Sequence, residues 1–240
     1  MAVEEISKNK AKAAGVVLAH MNAGRWETAE MNLLDALRLF PDDFGFLKLM
    51  GSVKVRQNQS DEAILWFRKA VKIAPKNTDI LLDLGKAELL SKNAADASKT
   101  LQKAVKIDPE FALGWHMLAK TYEVQGQQDS AVRAYQTALR LRPDSVVAAS
   151  DLLIALERYD RVDEMVDALA VISEVAPEHP IIKTFRGIVS FHESKFEMAN
   201  EMLESVTLLG ADGSGNQRLE AMRTEYLAKC FDQLGLEHKA

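Results

Sequence analysis

The sequence predicts an all-α fold of antiparallel helix hairpins, one hairpin per 34 residues. Three observations carry this. Five of the six prolines, Pro41, Pro75, Pro109, Pro143 and Pro177, stand 34 residues apart, and each closes a similar amphipathic run: ALRLFP, AVKIAP, AVKIDP, ALRLRP, ISEVAP. Small residues recur at the same period. So do residues suited to a tight turn midway between the prolines. A single average helix is far shorter than 34 residues, so each period holds two helices and two turns. Aromatic residues are only 7% of the chain and strand-like alternation is missing, which excludes a β fold.

The first turn of each repeat follows from proline. It has no N–H, and it disfavours helical geometry in the residue before it. A polar residue then caps the next helix: Asp42 or Asp43, Asn77 or Thr78, and Ser145. The second turn falls at Gly24, Asn58, Lys92, Gly126, Asp160 and Ser194. Glycine enters a left-handed conformation freely and asparagine tolerates it, so the other turns are expected to be less ideal.

The helices are fixed by their small residues. Gly51, Gly85 and Ala119 lie on first helices. Ala29, Ala63, Ala97 and Ala131 lie on second helices, and Ala199 rejoins that file. Ala36, Ala70, Ala104 and Ala138 form another. Small side chains let backbones approach, while Leu33, Phe67, Leu101 and Tyr135, with Met50, Leu84 and Leu118, fill the space around them.

The stretch WHMLAKTYEVQGQQDSAVRAYQTALRLRP, within Phe44–Ser145, and GRWETAE, within Lys10–Asp43, resemble the tetratricopeptide repeat family. The resemblance implies a right-handed α-solenoid over residues 1–240. Its repeats would run 10–43, 44–77, 78–111, 112–145, 146–179 and 180–213, followed by an inserted loop and a capping helix or truncated seventh repeat over 214–240. It also implies that first helices line a concave binding face. Projecting them places Lys48, Ser52 and Arg56 there, then Asp79, Asp83 and Lys86, then His116, Lys120 and Glu123. Asp151, Ile154, Glu157 and Arg158 follow, with Leu49, Leu89, Met117 and Val124 between or beside them. Mixed charge with apolar patches suits an extended peptide or a partner helix. The alternative is that these charges pair across neighbouring helices, Lys48 with Asp79 or Asp83, and Lys120 with Asp151. Family members that clamp the carboxylate of chaperone tails need lysine, asparagine and arginine at positions held here by Lys48, Ser52, Asp83, Leu113 and Met117. Only the lysine fits, so such clamping is not expected.

The pattern breaks in three places. In the fifth repeat Leu153, Met165 and Ile172 replace small residues, which predicts a widened hairpin that could form a groove or hinge. After the sixth, GADGSGN (Gly210–Asn216) reads as an inserted loop without phosphate- or calcium-binding spacing. The phase resumes with Leu227 and Ala228 at core sites, Gly235 at the turn and Ala240 beginning a new helix, so the helix Arg218–Leu234 either caps the stack or begins a longer one. Last, the first helix of the sixth repeat would carry Lys183, Arg186 and Ser190 at core sites in strict phase. Ile182, Phe185 and Val189 form an apolar stripe about 100° away, so that helix is expected to be rotated or slipped, leaving Ile181 and Ile188 in the groove or under the final helix.

Composition bounds function. The net charge of −5 gives no sequence-wide footprint for nucleic acid. The lone cysteine, Cys230, cannot form an internal disulfide and reads as a small core residue. The apolar run Ala13–Ala19 is too short to span a membrane, and Glu4 and Glu5 before it are wrong for a signal peptide. The five histidines show no metal-ligand spacing, and no phosphate loop, dinucleotide fingerprint or nucleophile motif occurs. His20 falls where the family usually has an interior aromatic and is expected to be packed or partly exposed. The expectation is therefore a non-catalytic, cytoplasmic scaffold that binds a protein or peptide, without cofactor, metal or nucleic acid. The alternative is the recruiting arm of a larger enzyme, such as a sulfotransferase or glycosyltransferase, continuing past residue 240. Self-association through the last helices is a third.

Overall fold

The computed structural model describes residues 2–206 and 217–235. The expected loop at Gly210–Asn216 and the return of the phase at Ala240 lie outside them. The described residues form helices and no strand. In order these are α1 (Ala2–Asn22), α2 (Trp26–Leu39), α3 (Phe44–Arg56), α4 (Ser60–Ile73), α5 (Thr78–Leu90), α6 (Ala94–Ile107), α7 (Ala112–Val124), α8 (Gln128–Leu141), α9 (Val146–Arg158), α10 (Val162–Val175), α11 (Pro180–His192), α12 (Phe196–Glu204) and α13 (Gln217–Leu234). The chain divides into two compact units, 1–134 and 135–240, with the boundary inside α8.

The turns are where the sequence puts them. Every mid-repeat turn has a residue in the left-handed region: Gly24, Asn58, Lys92, Gly126, Asp160 and Ser194, and Gly235 after α13, with φ between 54° and 71°. The cost of lysine, aspartate or serine there is offset by the hydrogen bonds the conformation permits. The amide of Gln59 reaches back to the Lys54 carbonyl at 2.8 Å, that of Asn93 to Glu88 at 2.8 Å, and that of Lys195 to Ser190 at 2.9 Å. Those bonds satisfy carbonyls that a helix end leaves open. At helix starts Asp43, Asn77 and Ser145 accept from the amides of Phe46, Ile80 and Ala148. His179 caps α11, with Pro180 in its first turn.

In unit 1 consecutive helices pack from α1 through α7. The glycine file marks close approaches. A Cβ on Gly51 would stand 2.6 Å from the Phe67 ring, and one on Gly85 would stand 2.6 Å from Leu101 Cγ. The larger residue of one helix thus occupies the notch in its partner. In unit 2, Leu153, Met165 and Ile172 are buried, and α9 stands further from α10 than α11 does from α12. This is the widened fifth hairpin that the sequence predicts.

The α11 expectation holds only in part. Ile182, Phe185 and Val189 are buried, while Lys183 and Arg186 are half-buried, Lys183 paired with Glu178 at 2.7 Å. The helix has not slipped. Gly187 keeps the repeat phase and abuts Leu203, as Gly85 abuts Leu101, and Ser190 is buried as strict phase requires. Its apolar arc broadens around a fixed register.

In α13 the expected core pair Leu227 and Ala228 is only half-buried. Leu219, Tyr226 and Cys230 are buried instead, because that stripe is the one α13 turns toward the unit. Arg223 is half-buried. It donates to the Leu203 carbonyl at 2.9 Å, closing the last turn of α12. Cys230 is fully buried, and burial raises its thiol pKa.

Candidate interaction face

In unit 1 the first helices of successive repeats, α3, α5 and α7, touch in sequence and share one face. Charge pairing accounts for part of it. Lys48 Nζ lies 3.4 Å from Asp83 Oδ2, so the one lysine that fits a carboxylate clamp is engaged by the aspartate that would repel such a ligand. Ser52 Oγ donates to the Lys48 carbonyl at 3.1 Å. The Arg56 guanidinium lies over the Trp26 ring at 5.9 Å. Lys86, Lys120 and Glu123 are half-buried. His116, expected in the groove, is instead buried at 9% exposure, because α7 turns that position inward.

One feature of this face is apolar and open. Leu90 ends α5 and Val124 ends α7, one period apart, and they are 60% and 64% exposed. Leu113, at the start of α7, is 47% exposed.

Unit 2 fills the equivalent face from within. Asp151 and Ile181 are half-buried and Arg158 is exposed. Ile154 and Ile188, expected in the groove, are buried at 5% and 0% exposure. α9 packs against α10, and α11 packs against α10, α12 and α13, so aliphatics at those positions lie under neighbouring helices. His192, at the repeat position of Leu90 and Val124, is hydrogen-bonded through Nε2 to Tyr226 Oη at 2.9 Å. Tyr226 Oη in turn donates to Glu157 Oε1 at 3.4 Å. One polar chain therefore ties α9, α11 and α13. Burial, then the Glu157 charge, push the Tyr226 phenol well above its ordinary pKa. Lys229 Nζ stands 4.3 Å over the Tyr226 ring.

Two buried charges escaped the sequence reading. Lys54, 7% exposed, meets Glu30 at 2.7 Å and Glu62 at 3.1 Å, tying α2, α3 and α4. The Lys54 hydrogen bond holds the Glu30 carboxyl below its usual value. Burial opposes the charge on Lys54, but the two carboxylates outweigh it and raise its pKa. Glu88, 1% exposed, accepts from Arg68 at 3.0 Å and from Thr100 at 2.8 Å. The two occupy the same repeat position, which is the available signal: a charged residue recurring beside a core file. His20 is half-buried, as expected.

No group of three His, Cys, Asp or Glu side chains among the described residues could hold a metal ion. No helix among them is long and apolar enough to cross a membrane.

A stack of two-helix repeats with an open first-helix face defines a helical-repeat protein. Three models of the tetratricopeptide repeat match residues 17–78, 55–121 and 112–145, together just over half of the sequence. The chain belongs to the tetratricopeptide repeat family. A curated relative, the anaphase-promoting complex subunit CDC16 of Saccharomyces cerevisiae, is 26% identical over 94 residues, which is 39% of this chain and 11% of that protein. Among solved structures, PilF of Pseudomonas aeruginosa superposes with a TM-score of 0.71 at 15% identity, covering 92% of this chain and 99% of that one. MamA from Desulfovibrio magneticus RS-1 gives 0.62 at 20% identity, covering 71% and 96%. YrrB, described as a TPR protein with an unusual peptide-binding site, gives 0.59 at 18% identity, covering 80% and 97%.

Proposed function

We propose that the chain is a non-catalytic scaffold that binds a peptide or partner helix on the first-helix face of unit 1. The observation that carries this is the exposure of Leu90 and Val124 at one repeat position of two touching helices. Two apolar side chains held one repeat apart, beside Lys86, Lys120 and Glu123, match a ligand with spaced apolar side chains and flanking charge. Exposed apolar pairs one repeat apart also occur on second helices, as at Met31 and Leu65; Leu90 and Val124 differ in standing on touching first helices beside Lys86, Lys120 and Glu123. Two relatives support the reading: YrrB, of the same fold, has a peptide-binding site, and CDC16 is by its name a subunit of a complex.

The test is selection of binding peptides from a displayed library against the full chain, repeated on a Leu90→Asp/Val124→Asp variant. Peptides that bind the first and not the second support the assignment. Peptides that bind both equally overturn it.

A further inference from the structure

Trp66 of α4 is half-buried and packs against the clusters that hold Leu33 and Ala36 of α2 and Leu47 of α3. Lys69 Nζ sits 4.1 Å over its ring. Three periods later, in unit 2, the same position is Ala168 of α10, and Lys69 is matched by Val171. Where the second repeat has an indole, the fifth has an open cleft of about 350 Å³. Leu139, Leu152, Ala168 and Val171 form its apolar floor and wall. Leu152 is 1% exposed and Val171 49%, so the cleft runs from solvent to the core. Its walls come mainly from the second helices α8 and α10, with Leu152 of α9 at the floor.

Charge says what fits. Helix α10 carries Asp163, Glu164, Asp167 and Glu174 and no lysine or arginine. Arg161 engages Glu164. Asp167, on the cleft rim, is exposed and has no ion pair among the described residues. Arg140 stands on the opposite rim. Val171 and Val175 continue the apolar line along α10, each 49% exposed.

We propose that this cleft docks a basic amphipathic helix of a partner protein, which inserts an aromatic side chain where unit 1 carries its own Trp66 and sets a lysine or arginine against Asp167. An aromatic anchor in an apolar pocket beside a charge contact is the usual form of a binding hot spot. The carboxylates of α10 would steer a basic partner and favour it over an acidic one.

The probe is a short lysine-rich amphipathic helical peptide bearing one fluorotryptophan, titrated into the full chain and read by fluorine NMR. It is expected to bind, and binding should weaken as salt rises. Ala168→Trp fills the cleft from within and should abolish binding while the melting temperature is kept or raised. Asp167→Lys, an exposed change that spares the core, should weaken binding by about tenfold or more. Replacing the fluorotryptophan by fluorophenylalanine should keep binding, whereas a glutamate-for-lysine peptide should lose it. The proposal is overturned if the probe does not bind, if it binds the Asp167→Lys chain undiminished, or if the glutamate peptide binds as well. Loss on Leu90→Asp/Val124→Asp but not on Asp167→Lys would place the probe on the first-helix face and refute the cleft alone. A rise in mass with protein concentration that Asp167→Lys removes would mean that a second copy occupies the cleft.

Discussion

Leu90 and Val124 of unit 1 and His192 of unit 2 hold the same repeat position in opposite states. In unit 1 Leu90 and Val124 stand exposed at the ends of α5 and α7. In unit 2 His192 occupies that position on α11 and is bonded to Tyr226, which is bonded to Glu157. The first-helix face is thus open and apolar at α5 and α7 and closed by a polar chain at α11, while Arg158 of α9 holds the same position exposed. Repeat architecture fixes where a side chain projects. Whether that side chain is free for a ligand depends on what the next helix offers it.

The largest expected effect separates buried from open aliphatics. Ile188→Ser should cost about 2 kcal/mol or more in stability, as deletion from a filled core does. Leu90→Ser should stay within about 0.5 kcal/mol. Equal losses in denaturant titrations would break the contrast between the two faces.

Close packing should be alike in both units. Gly85→Leu and Gly187→Leu each drive a side chain into a leucine whose Cγ already lies 2.6 or 2.8 Å from an ideal Cβ. Each should cost about 1–3 kcal/mol. A neutral Gly187→Leu would show that α11 has left the repeat register. Gly15→Ala, with no atom within 4 Å of the new Cβ, should be stabilising by about 0.5–1 kcal/mol.

The acid limb of a stability–pH profile reports Glu30 of unit 1, and the alkaline limb reports Lys54 of unit 1 and Tyr226 of unit 2. Glu30 has a lowered pKa in unit 1, so its contribution is present above the unfolded carboxylate value and is lost as pH falls through the lower folded one. Lys54→Met should flatten that acid limb. Tyr226 has a raised pKa in unit 2, so its contribution is present below the unfolded phenol value, near 10.0, and is lost as pH rises. Lys54, also raised, adds to the alkaline limb. Tyr226→Phe should remove its own share and cost about 0.5–1.5 kcal/mol at neutral pH. A profile unchanged by either substitution would contradict the assigned contacts.

The smallest effect on stability belongs to the half-exposed pair on the open face. Lys48→Glu with Lys86→Glu loses the Lys48–Asp83 bridge and should change stability by no more than about 1 kcal/mol. Its consequence should appear in the affinity and salt dependence of a bound peptide.

The period, the turns and the capping residues were legible because each is a local requirement of the backbone. Proline stops a helix wherever it falls, and the left-handed turns recur at Asn58, Lys92, Asp160 and Ser194 even without glycine. The close approaches at Gly51 and Gly85 were legible because a missing side chain has one main use in a helix interior. Burial at Ile154, Ile188 and His116 was not, because helical projection gives direction but not how far a neighbouring helix reaches over. The networks at Lys54 and Glu88 were hidden for a related reason. Their partners, Glu30, Arg68 and Thr100, lie on other helices, and no spacing along one helix reveals them. Trp66 and Ala168 are visible as one position in the aligned repeats, but only the structure shows the cleft beside Ala168.

The most direct measurement of the central contrast is methyl NMR of the leucine- and valine-labelled full chain, titrated with a peptide selected from the displayed library. The Leu90 and Val124 methyl resonances should shift together and saturate at one dissociation constant, while those of buried Leu152 and Leu153 stay in place. Saturable binding that leaves both Leu90 and Val124 unmoved would contradict it.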